Sequence, residues 1–288
     1  MTLTELHTKA KQEHWAVPHF NFSDLAQLKG ILDACVAMRA PVLAGTSEGE
    51  RDFIGLKQAV ALVKSYRETY DIPVFLNADH SHSFETAKTA FDAGYDSIHI
   101  DLSQKPFEEN IEGTKQVVDY VKSKNPEVQV EAELGYLVTN SSEVYDKVIE
   151  IPEESYTKVD QAVEFVSKTG IDRFAPAIGN LHGIAANTKQ IKFDLVEKLI
   201  AALPKNLTFT LHGGSGTPDD QLKRLVEMGF NNIHISTELR VAFTEGLKDF
   251  LTANPKEVAP YKYLGPATNN QIEVIKHKLE LYNTVNVV

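Results

Sequence analysis

Eight short segments rich in β-branched and aromatic residues recur along the chain, each followed by a loop and then a stretch with helical periodicity. They are VPHFNF (17–22), PVLAGTS (41–47), PVFLNAD (73–79), SIHIDLS (97–103), VQVEAELG (128–135), RFAPAIGN (173–180), LTFTLHGG (207–214) and NNIHIST (231–237). Strand followed by helix, repeated, is the pattern of βα units around a parallel sheet. Eight units in 288 residues predict an α/β fold, a (β/α)8 TIM barrel occupying residues 1–288 as a single domain. An open doubly wound sheet usually carries a glycine-rich turn after its first strand, and HFNFSDLAQLKG has none.

The helical segments are legible too. MTLTELHTKAKQEHWAVPHF reads as a short N-terminal amphipathic helix without the apolar core of a signal peptide. A helix is expected from Ser23 to Met38 with Ser23 as its N-cap, another from Ile54 to Tyr70, and another opening on Pro218. Two more, Pro255 to Tyr261 and Asn269 to Tyr282, are expected in the tail.

Composition narrows the function classes. The single cysteine, Cys35, excludes an intramolecular disulfide framework, and no apolar stretch is long enough to span a bilayer. The expectation is a soluble, cytoplasmic protein with no membrane partner. A formal charge of −11 and no basic run argue against nucleic acid, so any phosphate site must rely on backbone amides and a few placed cations.

In a barrel, residues ending different strands converge on one face. Those ends carry Asn21, Ser47, Asp79 with His80, Asp101, Glu131 with Glu133, His182, His212 with GGSG, and His234 with Ser236. Three imidazoles, His80, His182 and His212, come from the third, sixth and seventh strands, and together suit a divalent transition metal, zinc above all, with an open position for substrate. Each could alternatively be a satisfied, half-buried side chain. The small residues after His212 let backbone N–H groups cradle an anion, and Ser215 adds a hydroxyl. Ser236, Thr237 and Arg240 open the helix after the eighth strand, beside the usual phosphate site of this fold. Ser81 and Ser83 are better placed than Asp79 to cap the helix near Phe84, which leaves Asp79 for proton transfer; His82 is expected at the surface.

Taken together, ADH (78–80), AELG (132–135), AIGNLHG (177–183), LHGGSG (211–216) and STELR (236–240) resemble the class II, metal-dependent ketose-bisphosphate aldolases, most closely the fructose- and tagatose-bisphosphate enzymes. The likeness runs from VPHFNFSD to LGPA. It implies reversible aldol cleavage of a phosphorylated ketose to dihydroxyacetone phosphate and an aldehyde such as glyceraldehyde 3-phosphate. It implies one zinc ion per chain on His80, His182 and His212, with Asp101 and Glu133 as candidate ligands of a second divalent or monovalent cation. Asp79 becomes the acid and base at the C4 hydroxyl; Gly183, Gly213, Ser215 and Thr237 match phosphate-binding positions. A homodimer or homotetramer is also implied.

Three departures accompany the likeness. After AELG the family usually carries a GG-x-E-D loop with a proton-shuttling glutamate; here the run is YLVTNSSEVYDKV, with Glu143 the nearest carboxylate and Tyr145 another proton carrier. His234 stands where an asparagine usually holds the ketose end. Asn187, with Lys189 two residues on, stands where a phosphate-binding lysine is usual. Ser236 leans the stereochemical preference toward tagatose or a relaxed site. Two other readings stay open: a catalytically inactive sugar-phosphate- or metal-binding relative, and an amidohydrolase-like metal hydrolase prompted by the H-x-H of His80 and His82.

Overall fold

The computed structural model describes residues 1–186 and 190–288; Asn187 and Lys189 lie outside the described residues. Its eight strands are β1 (Val17–Asn21), β2 (Val42–Thr46), β3 (Val74–Ser81), β4 (Ser97–Ile100), β5 (Gln129–Leu134), β6 (Arg173–Pro176), β7 (Thr208–Leu211) and β8 (Phe230–Ile235). They pair in chain order, all parallel, and β8 returns to β1 to close the barrel. The expected (β/α)8 barrel with an N-terminal helix and additional C-terminal helical structure is therefore the observed fold.

The helices are α1 (Leu3–Glu13), α2 (Leu25–Ala37), α3 (Glu48–Ile54), α4 (Leu56–Thr69), α5 (Phe84–Ala93), α6 (Phe107–Lys124), α7 (Val159–Thr169), α8 (Phe193–Ala202), α9 (Asp219–Met228), α10 (Thr237–Ala253) and α11 (Pro260–Leu281). Four expectations need correction. Asp24, not Ser23, caps α2, its carboxylate accepting from Gln27 N at 2.8 Å. The expected helix from Ile54 to Tyr70 is broken at Gly55, whose φ of 91° ends α3 before α4 begins. Pro218 is the N-cap of α9 rather than its first residue. The tail holds one long helix, α11, with Pro266 inside it, and Pro255 to Glu257 lie outside any helix. Ser83 caps α5 as expected.

Side chains alternate between the two faces of each strand. One set, including Phe20, Ala44, Leu76, Ile98, Val130, Phe174, Phe209 and Ile233, belongs to the large apolar core shared with the helices. The other set is polar and buried: His19, Asn77, Ser97, His99, Gln129, Glu131, Arg173, Thr208, Thr210 and Asn232 fill the barrel itself. Burial of that many polar groups is tolerated only where they satisfy one another.

Candidate active site

The C-terminal ends of the strands enclose a narrow cavity of about 20 Å³ lined by Asn21, Asp79, His80, Ser141, His182, Gly183, His212, Gly213, Ser215, His234, Ser236 and Thr237. It adjoins a larger one of about 210 Å³ that shares His80, Ser141 and His182 and adds Ser47, Asp101 and Glu133. Most of the residues expected at the site thus line one of two adjoining chambers. Arg240 lines a separate cavity with Ser142 and Lys248, and its guanidinium pairs with Glu50. Glu143 sits on the exposed 141–144 stretch, where its carboxylate accepts from Asn140 Nδ2 at 3.2 Å. The neighbour that reaches both chambers is Ser141.

How Asp79 and His80, adjacent in sequence, both reach the mouth is a matter of backbone. In a regular strand they would point to opposite faces. Here the β3–β4 register shifts between Ala78 and Ser81, and His80 takes a φ of 46°. Arg51 holds this irregular turn: its Nη1 donates to Thr46 O at 2.6 Å and Asp79 O at 3.0 Å. Glu50 braces the neighbouring strand ends, accepting from Asn21 Nδ2 at 3.0 Å and Ser47 N at 2.7 Å.

The ring centroid of His80 lies 4.7 Å from that of His212 and 4.9 Å from that of His182, and the last two are 5.9 Å apart. His80 Nδ1 is 2.8 Å from Asp101 Oδ2, and His212 Nε2 is 2.6 Å from Glu131 Oε1. With those nitrogens engaged by carboxylates, the remaining two, His80 Nε2 and His212 Nδ1, face each other at 3.1 Å. The donors fit a divalent cation: ligand atoms of Asp79, His80, His99 and His212 lie within 4.8 Å of one another, with the His182 ring beside that of His80, and carboxylate-backed imidazoles are how such ions are usually held. The electrostatics agree. Burial disfavours an imidazolium at His80, but Asp79 and Asp101 overcome it and lift the pKa to about 10, so the carboxylates around this ring favour positive charge. His212 is held down to about 3 by burial, which keeps it a neutral donor.

Asp79, 5% exposed, lines the smaller cavity. Burial pushes its carboxyl up, but the charge of His80 and the neighbouring imidazoles of His234 and His99 outweigh this and hold it well below the usual range, so it is ionised. Asn21 Nδ2 donates to its Oδ2 at 3.0 Å, while Oδ1 has no hydrogen-bond partner among the described residues and stands 3.4 Å from His234 Nδ1. Glu133 behaves oppositely: burial, then the Asp101 charge, raise its pKa well above normal. On the far wall, Gly213 (φ 62°) passes so close to Leu181 that a Cβ would meet its carbonyl oxygen at 2.1 Å. Ser215 Oγ accepts from Ser236 N at 3.3 Å and Glu238 N at 3.2 Å, joining this turn to the start of α10. A positive helix terminus beside a small-residue turn suits an anion.

A model of the class II fructose-bisphosphate aldolases matches residues 1–287. The chain belongs to the class II fructose-bisphosphate aldolase family. It is therefore an aldolase, a carbon–carbon lyase by family. The fructose-bisphosphate aldolase of Staphylococcus aureus (strain Mu50 / ATCC 700699) is 35% identical over 290 residues, covering 99% of this chain and 98% of that one. That of Geobacillus stearothermophilus is 35% identical over 271 residues, 92% of this chain and 91% of its own length. The crystal structure of the YdjI aldolase from Escherichia coli K12 superposes with a TM-score of 0.83 at 28% identity, over 99% of this chain and 97% of that one. The amidohydrolase-like reading gives way to this family. The H-x-H that prompted it places His82 outward, 60% exposed and gripped by Glu48 at 3.0 Å.

Sequence reasoning overlooked His99, His19, Glu50, Arg51 and Arg173. A period-two reading inward from each mouth residue would have found two of them: His19 precedes Asn21 by two positions, and His99 precedes Asp101 by two. His99 Nδ1 accepts from the backbone N of His80 at 3.2 Å, and His19 stacks on His234 at 3.6 Å between ring centroids. Among the described residues, no helix is long and apolar enough to cross a membrane.

Proposed function

We propose that this aldolase catalyses zinc-dependent, reversible cleavage of a phosphorylated ketose of the fructose or tagatose 1,6-bisphosphate type, giving dihydroxyacetone phosphate and an aldehyde. The observation that carries the proposal is the pairing of a converging histidine trio with a buried, ionised carboxylate in one cavity. His80, His182 and His212 would hold the ion, which when bound supplies Lewis acidity to the substrate carbonyl. Asp79 takes the proton of the substrate's C4 hydroxyl as the C3–C4 bond breaks and returns it in condensation. Asn21 keeps that carboxylate oriented from 3.0 Å. The backbone around Gly183 and Gly213, with Ser215, Ser236 and Thr237, receives the phosphate of the ketose end; His234, beside Asp79, meets the sugar hydroxyls. Asp101 and Glu133 in the adjoining chamber are candidate ligands for a second cation. We extend the reading to one catalytic domain per chain, a cytoplasmic location and a homodimeric or homotetrameric assembly.

The test is Asp79→Asn, which preserves shape and removes the base. Release of dihydroxyacetone phosphate should fall by roughly 10²- to 10⁴-fold with bound zinc unchanged. Turnover within a factor of two of the parent would remove Asp79 from its role. Zinc bound at one per chain, with no cleavage of any phosphorylated ketose by the unaltered protein, would instead support the inactive relative.

A further inference from the structure

The polar layer beneath the mouth contains a fully buried guanidinium to which the chemistry above assigns nothing. Arg173, at the start of β6, has 0% side-chain exposure. Its Nη1 donates to Glu131 Oε2 at 2.8 Å and to Asn232 Oδ1 at 2.6 Å, and its Nη2 donates to Asn77 Oδ1 at 3.0 Å and to Ser97 Oγ. One side chain therefore ties β6 to β3, β4, β5 and β8. An arginine fork buried this deeply has a definite geometric demand, because its N–H groups need acceptors in the guanidinium plane; here both terminal nitrogens find them, while Nε has none among the described residues.

Its ionic partner leads directly to the mouth. Glu131 is 0% exposed; Oε2 is anchored by Arg173 and by Thr210 Oγ1 at 3.0 Å, which aims Oε1 at His212 Nε2, 2.6 Å away. A carboxylate only accepts, so this contact places the His212 proton on Nε2 and leaves the lone pair on Nδ1, the nitrogen that faces His80. His80 is oriented the same way from the other side. Asp101 Oδ2 takes its Nδ1, while Asp101 Oδ1 is anchored by Ser103 N at 3.1 Å and Ser103 Oγ at 2.7 Å. Each ring is set by a carboxylate and each carboxylate is itself anchored, one by a surface loop and one by Arg173.

We propose that Arg173 is a positioning residue for the metal site, acting through Glu131 to fix the tautomer and ring orientation of His212. The proposal rests on His80, His182 and His212 being the metal ligands. Without the guanidinium, Glu131 keeps Thr210 alone as an anchor, Oε1 loses its aim, and the His212 ring is no longer held with its lone pair toward His80.

The experiment is a cobalt(II) titration of the metal-free protein, following the visible absorption of the bound ion, for the parent, Arg173→Met, Arg173→Lys and the double variant Arg173→Met/Glu131→Gln. The double variant removes the uncompensated buried carboxylate, so it is the one to rely on if Arg173→Met does not fold; near-ultraviolet circular dichroism and melting temperature establish which variants are folded. Cobalt affinity should fall by roughly 10- to 100-fold in Arg173→Met and in the double variant, with an altered spectrum, and Arg173→Lys should recover part of the loss. Parent-like affinity and spectrum in a folded variant lacking the guanidinium would overturn the proposal. Failure of the parent itself to bind cobalt would overturn the metal-site reading, and this inference with it.

Discussion

Replacing Gly45 by alanine tests whether the polar interior of the barrel is packed as tightly as the structure implies. A Cβ on Gly45 would stand 2.2 Å from both Cε1 and Nε2 of His19. Ordinary carbon contacts begin near 3.5 Å, so the ring must move by more than about 1 Å. It has little freedom to do so: Nε2 is bonded to Asn77 Nδ2 at 3.1 Å, and the ring stacks on His234 at 3.6 Å and 7°. Overpacking costs about 1 to 3 kcal/mol, and a buried hydrogen bond lost with it costs about as much again, so roughly 2 to 6 kcal/mol is expected. At about 2.1 cal/mol/K per residue, the unfolding entropy of a chain this size is roughly 0.6 kcal/mol/K, which converts that cost to a fall of about 3 to 10 °C in melting temperature. Because His234 lies 3.4 Å from Asp79, a displaced stack also disturbs the cavity wall. Measured below the melting range, kcat/KM for the phosphorylated ketose should drop by at least about tenfold while metal content is unchanged. A melting temperature within about 1 °C of the parent and undiminished kcat/KM would refute the packing argument.

Two further outcomes are expected. Removing the divalent ion with a chelator should abolish cleavage and lower the melting temperature, since an ion at 100 times its Kd stabilises by about 2.7 kcal/mol; an unchanged melting curve would argue against a built metal site. His7, buried under the barrel with Nδ1 3.0 Å from Gln129 Oε1, is held down to about 3 by burial and then by the Arg173 charge. Its folded pKa lies below its unfolded value, so its stabilisation is fully present above about pH 6.5 and is lost as the pH falls from there toward the folded value. In His7→Gln, the stability lost between pH 7.5 and 5.5 in urea unfolding should shrink by about 1.4 kcal/mol, and an identical loss in both proteins would show that His7 is not held neutral.

The barrel was legible because each strand is short, apolar on its helix-facing side and separated from the next by a helical period. The mouth histidines were legible because strand ends of such a barrel share one face. Helix ends were read less well. Ser23 and Asp24 are both good caps, and only the backbone decides that Asp24 accepts from Gln27 N. In the tail, Pro266 invites a break, but α11 runs through it because α10 and α2 pack along its length. Arg173 was passed over because a charged residue at a strand start ordinarily faces solvent, and nothing local says that Glu131, Asn77, Ser97 and Asn232 wait for it on four other strands.

By itself, then, the sequence determined the eightfold repeat, the family motifs and the strand-end side chains that meet at the mouth, since these depend on periodicity and residue type, though not which loop residues join them. Tertiary structure alone decided that Asp79 and His80 face the same cavity. That outcome needs a register shift in β3, a left-handed residue and an arginine from α3 to hold the turn, and each comes from a segment that carries no local sign of the others.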